Sequence, residues 1–356
     1  MTRSARYWIA WVFFSVLLGA PALHAEASDP SESTPVSTET HDQGKPVVSA
    51  CDAGIVVVWQ DNRPDGKKEG TEFPSSVYGR YIDRNEEFAV FVPSDETADQ
   101  PAISGPHVVF RHSRGWTNVI LAGLPGLKRE TIGDVAFAPA IDGNLVVFAS
   151  SRHRWEGWSG KGAPPTSWIS DIAAYEVGGI GVAFDVTNTD FANQTNPDVS
   201  GTTVVWQEGT APRGWNNTAI FKRDIDMDPE PVRICGKPGK SAQNPAICGS
   251  IIVWQDNRNG DWDIYGYDLD QRKEIEVCLG PGDQALPAID GTVIVWQDNR
   301  HGDWDIYAHN LATRQTFPVY QGKGNQTEPD IYKGTVIWTD DRNGNADIYM
   351  NIRTKE

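Results

Sequence analysis

The segment Gln284–Tyr307 recurs along the chain, and this repetition constrains the fold more than any other feature of the sequence. Its apolar core ends in Trp296, and two further copies of the core end in Trp254 and Trp338, each 42 residues away. A fixed period of this length is typical of proteins built from copies of one supersecondary unit. The sequence therefore predicts a repeat architecture.

Seven copies of an apolar run that ends in Trp or Phe occur along the chain. The final aromatic residues are Trp59, Phe110, Phe148, Trp206, Trp254, Trp296 and Trp338. Each copy except the last contains four short strand-like runs separated by turns, and no long stretch has helical periodicity. Four strands in a unit of about 40–45 residues is the pattern of a β-propeller blade. We therefore predict an all-β fold, a seven-bladed β-propeller of four-stranded antiparallel blades.

The last copy stops after its third strand and so lacks an outer strand. Ahead of the first copy, Pro35 and Pro46 have the same spacing as Pro318 and Pro329, which flank the start of the last copy. We predict that residues 34–40 form the missing outer strand of the last blade. Closing the ring in this way removes an open sheet edge that would otherwise favour aggregation.

The N-terminus has the features of a secretory signal. Arg3 and Arg6 precede a mostly apolar run, and small residues suited to cleavage follow near Ala25. An uncleaved membrane anchor is the alternative. The predicted division of the chain is a signal peptide at 1–25, a disordered lead-in at 26–33 and the propeller at 34–356. We expect the protein in the periplasm, outside the cell or on its surface, with no membrane insertion after cleavage.

Net charge and cysteine content exclude several classes of protein. The formal net charge is -17 at pH 7, which argues against a nucleic-acid partner and against an anionic membrane surface. The four cysteines are too few for a disulfide scaffold. If they pair, three connectivities are open.

A repeated pattern resembles a known family. The pattern V-W-x-D-x-R-x-G-x-x-D-I-Y occurs at 253–265, 295–307 and, with Ile337 first, 337–349. It resembles the TolB-type β-propeller repeat, which is usually written F-x-S-D-R-x-G-x-x-x-I-Y. The resemblance is strong over 245–356 and fainter over 46–225. It implies a secreted or periplasmic propeller, here without the α/β domain that precedes the six-bladed ring of TolB.

Tryptophans outside the apolar cores are the main candidates for ligand binding. They fall on turns between the second and third strands, which are longest in the irregular blades. On an exposed face they suit a sugar ring or a protein interface, although folded-back loops could also bury them. The predicted binding residues are Trp116, Trp155, Trp158, Trp168 and Trp215, with Arg114 and Arg152 beside them.

An arginine follows the core aromatic residue by four positions in six of the seven copies. These residues are Arg63, Arg114, Arg152, Arg258, Arg300 and Arg342. Arginine binds carboxylates with two parallel hydrogen bonds, so a ring of arginines could recognise an anionic ligand. The repetition in nearly every blade favours instead a structural clamp, in which each arginine pairs with acids of its own turn.

The sequence carries no motif that identifies an enzyme. Neither G-x-S-x-G nor H-E-x-x-H occurs, and no pair of acids stands out as a glycosidase couple. No metal or cofactor is predicted, because the calcium-loop-like turns at 256–263 and 298–305 have arginine at a ligand position. We therefore predict a non-catalytic binding or scaffold module for an envelope or extracellular protein, or a glycan. The alternatives are a polysaccharide lyase or hydrolase acting on acidic glycans, and a structural cell-surface protein.

Overall fold

The computed structural model describes residues 33–64, 75–94, 96–124, 126, 128–152, 169–189, 192–210 and 217–352. Within these ranges the chain forms 28 β-strands arranged in seven antiparallel sheets of four strands. The same ranges contain no helix long and apolar enough to span a membrane. The predicted all-β, seven-bladed propeller is confirmed. The predicted signal peptide and nearly all of the lead-in lie outside the described residues.

The first four blades follow one another along the chain, each with its strands in sequence order from the first to the fourth. Blade 1 consists of β2 (Gln43–Cys51), β3 (Gly54–Asp61), β4 (Ser76–Tyr81) and β5 (Glu86–Phe91). Blade 2 consists of β6 (Thr97–Ser104), β7 (His107–Arg114), β8 (Trp116–Gly123) and β9 (Lys128–Asp134). Blade 3 consists of β10 (Ala136–Asp142), β11 (Leu145–Arg152), β12 (Ile169–Glu176) and β13 (Phe184–Asp185). Blade 4 consists of β14 (Ala192–Ser200), β15 (Thr203–Thr210), β16 (Thr218–Asp224) and β17 (Val232–Cys235).

The last three blades carry the most regular copies of the repeat. Blade 5 consists of β18 (Ala242–Cys248), β19 (Ile251–Asp256), β20 (Asp263–Asp268) and β21 (Lys273–Cys278). Blade 6 consists of β22 (Gln284–Asp290), β23 (Val293–Asp298), β24 (Asp305–Asn310) and β25 (Gln315–Tyr320). Blade 7 consists of β26 (Gln326–Tyr332), β27 (Thr335–Asp340), β28 (Asp347–Ile352) and the outer strand β1 (Thr34–Ser37).

The second strand of each blade is the most deeply buried, because neighbouring blades cover both of its faces. In β23 the consecutive residues Ile294, Val295 and Trp296 have no exposed surface. A strand buried on both sides has a continuous apolar run rather than an alternating one. The core is accordingly a series of layers between blades, such as the layer in which Val205 of blade 4 packs with Trp254 of blade 5.

The ring closes through the N-terminal strand, as predicted. Strand β1 pairs antiparallel with β28, and Thr34 lies opposite Met350. Val36 is 2% exposed and packs with Ile337 and Ile348 of blade 7. The observed strand ends at Ser37 rather than at residue 40, because the chain then turns towards blade 1. Closure therefore joins the two ends of the described chain within one sheet.

A bulge at the start of every first strand ties each blade to the next. In each blade the residue before the repeated proline has a positive φ, between 48° and 54°. These residues are Lys45, Gln100, Ala138, Asn196, Asn244, Leu286 and Glu328. In the regular blades a side chain of the preceding blade accepts a hydrogen bond from the backbone N–H of this residue. Gln255 Oε1 accepts from Leu286 N at 2.9 Å, and Gln297 Oε1 accepts from Glu328 N at 3.1 Å. These bonds satisfy backbone donors that the bulge removes from the sheet ladder.

Candidate functional site

Four of the repeated arginines are structural clamps. In blade 6, Asp298 accepts hydrogen bonds from Trp296 Nε1 at 3.0 Å and from Arg300 Nε at 2.8 Å. The Arg300 guanidinium also lies over the Tyr307 ring, 4.4 Å from its centroid. The corresponding aspartates pair with the other three arginines of this group, Arg63, Arg258 and Arg342. These cations are already paired with buried carboxylates, so they do not form a ring that is free to bind an anion.

Blade 2 departs from this arrangement. Phe110 replaces the clamp tryptophan and His112 replaces the clamp aspartate, so Arg114 has no buried acid on its own strand. Its side chain is 76% exposed, and its Nε lies 2.7 Å from Glu96 Oε1. Loss of the clamp residues therefore leaves this guanidinium at the surface, and its two terminal nitrogens have no partner among the described residues.

His112 and Glu96 form a half-buried pair beside Arg114. His112 Nε2 lies 2.5 Å from Glu96 Oε2, and both side chains are less than 15% exposed. The Phe91 ring of blade 1 packs edge-on against the imidazole, with 5.1 Å between ring centroids. Glu96 thus orients the histidine and contacts the exposed arginine at the same time.

Trp116 completes a cluster on one face of blade 2. It lies directly opposite Arg114 across the tight turn at Gly115, where φ is 78°, and its side chain is 62% exposed. Residues paired across antiparallel strands project from the same face, and so do residues two apart on one strand. We call Glu96, His112, Arg114 and Trp116 the blade-2 cluster.

The structure brings together only part of the predicted binding set. Arg114 and Trp116 are adjacent, and the exposure expected of a ligand platform holds for Trp116. The other four predicted tryptophans and the side chain of Arg152 lie outside the described residues; the tryptophans are Trp155, Trp158, Trp168 and Trp215. Sequence reasoning missed His112 and Glu96, although the break in the repeat at position 112 was a visible signal.

A second group of acids lines the axis of the ring, where successive first strands contact one another. Asp198 Oδ2 accepts from Ile247 N, and Asp330 Oδ2 accepts from Val48 N, each at 2.8 Å and each from the next blade. Burial raises the pKa of Asp198 to about 6 and that of Asp330 to about 7, and neighbouring carboxylates add to both shifts. These acids join blades, and their ionisation opposes folding.

The raised pKa of Asp330 should appear in the pH dependence of stability. The folded chain binds more protons than the unfolded chain between about pH 4 and pH 7, so this group makes stability fall as pH rises through that window. Asp330→Asn keeps an acceptor for Val48 N and removes the charge. We expect it to match the wild type at pH 4.5 and to exceed its free energy of unfolding at pH 8 by roughly 1–3 kcal/mol.

Urea unfolding at the two pH values measures this difference. The exposed Asp270→Asn is the matched control for the loss of one negative charge. If Asp330→Asn and wild type differ in free energy of unfolding by the same amount at both pH values, the raised pKa of Asp330 is contradicted.

Comparison with known proteins identifies the fold. No protein-family model and no curated protein sequence matches the chain. An oligogalacturonate lyase from Vibrio parahaemolyticus is similar in structure, with a TM-score of 0.61, 14% identity, and coverage of 89% of this chain and 92% of the lyase. An oligogalacturonate lyase in complex with manganese has a TM-score of 0.63 and 12% identity, and the match covers 91% of this chain and 93% of that one.

A peptidase also contains this fold. A Mycobacterium tuberculosis peptidase that hydrolyses puromycin has a TM-score of 0.63 and 15% identity. The match covers 88% of this chain and 52% of the peptidase, so this chain spans about half of that protein's length. All three similarities show the β-propeller fold, and the TolB-type resemblance stays a prediction.

These neighbours correct one expectation. The sequence-based prediction of a non-catalytic binding or scaffold module is contradicted, because the similar structures are those of enzymes, a lyase and a peptidase among them. The prediction rested on the lack of a recognised catalytic motif, and propellers can build a site from residues of separate strands and links. The acidic-glycan alternative agrees better with the comparison.

Proposed function

We propose that this protein is an enzyme that cleaves acidic polysaccharides, and that the blade-2 cluster is its active site. The observation that carries the proposal is the His112–Glu96 pair held beside the exposed guanidinium of Arg114. A second support is the similarity to oligogalacturonate lyases over nearly the whole length of both chains. The proposed reaction is β-elimination at a uronate residue.

The chemistry of elimination needs one base and one cation. A base removes the proton from C5, next to the uronate carboxylate, the bond from C4 to the glycosidic oxygen breaks, and a double bond forms between C4 and C5. The departing oxygen takes up a proton from water, so the released saccharide ends in a hydroxyl group. Negative charge spreads onto the carboxylate as the proton leaves, so a cation at the carboxylate stabilises the transition state. In the proposal, His112 is the base and Arg114 binds the carboxylate with its two terminal nitrogens.

Glu96 fits the role of a positioning residue. When it accepts the Nε2 proton of His112, Nδ1 carries the lone pair that can take a proton from the substrate. A carboxylate behind the imidazole also stabilises the charge that the ring gains during the reaction. This arrangement of base and orienting acid is common to many enzymes that use histidine as a general base.

Trp116 would support the sugar ring. Its indole is exposed on the same face as Arg114, and an aromatic face beside a charged group suits a pyranose that carries a carboxylate. The binding roles predicted for Trp155, Trp158, Trp168 and Trp215 stay predictions, because these residues lie outside the described part of the chain. The predicted signal peptide and the predicted location outside the cytoplasm fit a polymeric substrate.

Manganese has no place in the proposed mechanism. One similar lyase was solved in complex with this metal. In the part of the chain that the structure describes, no group of three or more His, Cys, Asp or Glu side chains could hold a metal ion. In the proposed mechanism, Arg114 rather than a metal ion neutralises the negative charge of the substrate carboxylate.

An activity assay tests the proposal. We expect incubation with oligouronates of several kinds to give unsaturated products, detected by their ultraviolet absorbance. His112→Gln should lower the rate at least 100-fold, since general-base catalysis contributes about 10²–10⁴-fold. Arg114→Ala should lower it comparably and also raise KM. The exposed Arg314→Ala, on a turn between third and fourth strands, is the matched control and should keep full activity.

Two results would overturn the assignment. Absence of any cleavage across the substrate panel would refute the function. Cleavage that survives His112→Gln unchanged would keep the function and refute the site. Circular dichroism of each variant separates loss of activity from loss of folding.

A further inference from the structure

An exposed apolar patch lies where the outer parts of blades 3 and 4 meet. The described residues include eight exposed large apolar side chains, and four of them lie in two neighbouring segments, the one that leads from β12 into β13 and the turn between β16 and β17. They are Ile180 (93% exposed), Val182, Phe184 and Met227 (79% exposed). We call these four residues the blade 3–4 patch. Single exposed apolar residues are ordinary on a protein surface, whereas a cluster of large ones marks a binding surface.

One guanidinium joins the two segments. Arg223 Nε donates to Asp228 O at 3.2 Å, in the turn between β16 and β17, and Arg223 Nη1 donates to Val186 O at 2.5 Å, directly after β13. Beneath the patch, buried Val186 and partly buried Ile225 pack in the same hydrophobic layer between blades 3 and 4. The exposed apolar side chains therefore flank one junction between blades.

The backbone holds the exposed residues in defined turns. Gly181 follows Ile180 and has a positive φ of 77°. Asp224 Oδ1 accepts hydrogen bonds from Asp226 N at 3.1 Å and from Met227 N at 3.2 Å. A segment that is already ordered loses little conformational freedom when a partner binds.

The corresponding turns of three other blades have polar tips. These are residues 83–85 in blade 1, 270–272 in blade 5 and 312–314 in blade 6, and all of them are exposed. Each of the three turns contains an arginine, namely Arg84, Arg272 or Arg314. The fold therefore does not require large apolar residues at this place in a blade.

The surroundings of the patch are acidic. Between residues 176 and 185 the chain has two acids and no basic residue, and between 222 and 230 it has four acids and two basic residues. Both basic residues are engaged, since Lys222 Nζ binds Asp228 Oδ2 at 2.6 Å and Arg223 binds backbone carbonyls. The exposed acids are Glu176, Asp226 and Glu230. The patch thus combines apolar side chains with a negative rim.

We propose that the blade 3–4 patch binds a segment of another protein in which large apolar side chains alternate with lysine or arginine. The apolar side chains would cover the patch, and the basic ones would pair with the acidic rim. A second copy of this chain fits less well, because a symmetric contact would bring the same acids together. An anionic lipid surface would repel these acids.

The patch and the blade-2 cluster lie on opposite faces of the ring. Turns between third and fourth strands stand at the opposite end of a blade from turns between second and third strands, because neighbouring strands are antiparallel. A partner at the patch would therefore leave the blade-2 cluster open to substrate. The proposed interaction does not depend on the proposed lyase activity.

Binding of a fluorescent peptide tests the proposal. The probe alternates valine with lysine, and its counterpart has glutamate in place of lysine. We expect the lysine peptide to bind saturably, to bind more weakly in about 0.5 M salt, and to bind at least tenfold more tightly than the glutamate peptide. Ile180→Ser and Met227→Ser should each weaken binding about tenfold. Leu279→Ser, at an exposed apolar position of blade 5, is the matched control and should change binding less than about twofold.

Three kinds of result would overturn the proposal. The first is no saturable binding of the lysine peptide, or equal binding of both peptides. The second is binding that Ile180→Ser and Met227→Ser leave unchanged. The third is self-association in sedimentation, or attachment to phosphatidylcholine vesicles in flotation, that the same two substitutions abolish, because the patch would then bind a second copy or a lipid surface. None of these results depends on cleavage of a uronate.

Discussion

Replacing Val36 with aspartate is expected to lower the free energy of unfolding by roughly 3–5 kcal/mol, the cost of an unpaired buried charge. Val36 is 2% exposed and packs with Ile348 and Met350 of the last blade. A carboxylate there would have only apolar neighbours in its cluster, so it must either ionise at great cost or break the contact between β1 and β28. The ring would then have an open edge at blade 7.

A second substitution on β1 shows whether the effect of Val36→Asp comes from the loss of ring closure. Thr34→Asp places the same charge on the same strand at an exposed position, and we expect a change of less than about 0.5 kcal/mol. Urea unfolding followed by tryptophan fluorescence measures both variants. If Val36→Asp is as stable as Thr34→Asp, then β1 contributes nothing to the ring, contrary to its place in the sheet.

Removing one clamp aspartate is expected to lower the free energy of unfolding about as much as Val36→Asp does. Asp298 is fully buried, and it binds both the Trp296 indole and the Arg300 guanidinium. Asp298→Ala leaves a partly buried cation and a buried N–H without their partner, which should cost roughly 3–5 kcal/mol. The free energy of unfolding in urea is again the quantity measured.

Two further variants test whether the loss of stability comes from the unpaired charge of Arg300. Asp298→Ala combined with Arg300→Met removes both charges, and we expect it to recover about half of the lost stability. Blade 4 supplies a natural comparison, because Trp206 Nε1 has no partner among the described residues and Glu208 binds Gln194 instead of a clamp arginine. Glu208→Ala should therefore cost much less than Asp298→Ala. Equal costs would show that the clamp does not stabilise the blades.

The fold was predictable because its determinants are repeated and local. Runs such as Ile294–Trp296 are apolar at every position, which a strand covered on both faces requires, and they recur with near-constant spacing. The closing strand was predictable from the missing fourth strand of blade 7 and from the spacing of Pro35 and Pro46. Its end at Ser37 was not, since strand ends depend on where the chain must turn.

The candidate site was only partly predictable. Arg114 and Trp116 were singled out because they stand on a turn, but Arg114 had been grouped with arginines that prove to be clamps. The pairing of His112 with Glu96 joins a second strand to a link 16 residues earlier, and no local pattern encodes such a contact.

The product of an incubation with a uniform oligogalacturonate tests the central claim most directly. Elimination and hydrolysis differ by one water in the mass of the fragment that carries the new non-reducing end. We expect the wild-type protein to give fragments lacking that water, and His112→Gln to give essentially none. An unchanged oligosaccharide after prolonged incubation with folded wild-type protein would contradict the account.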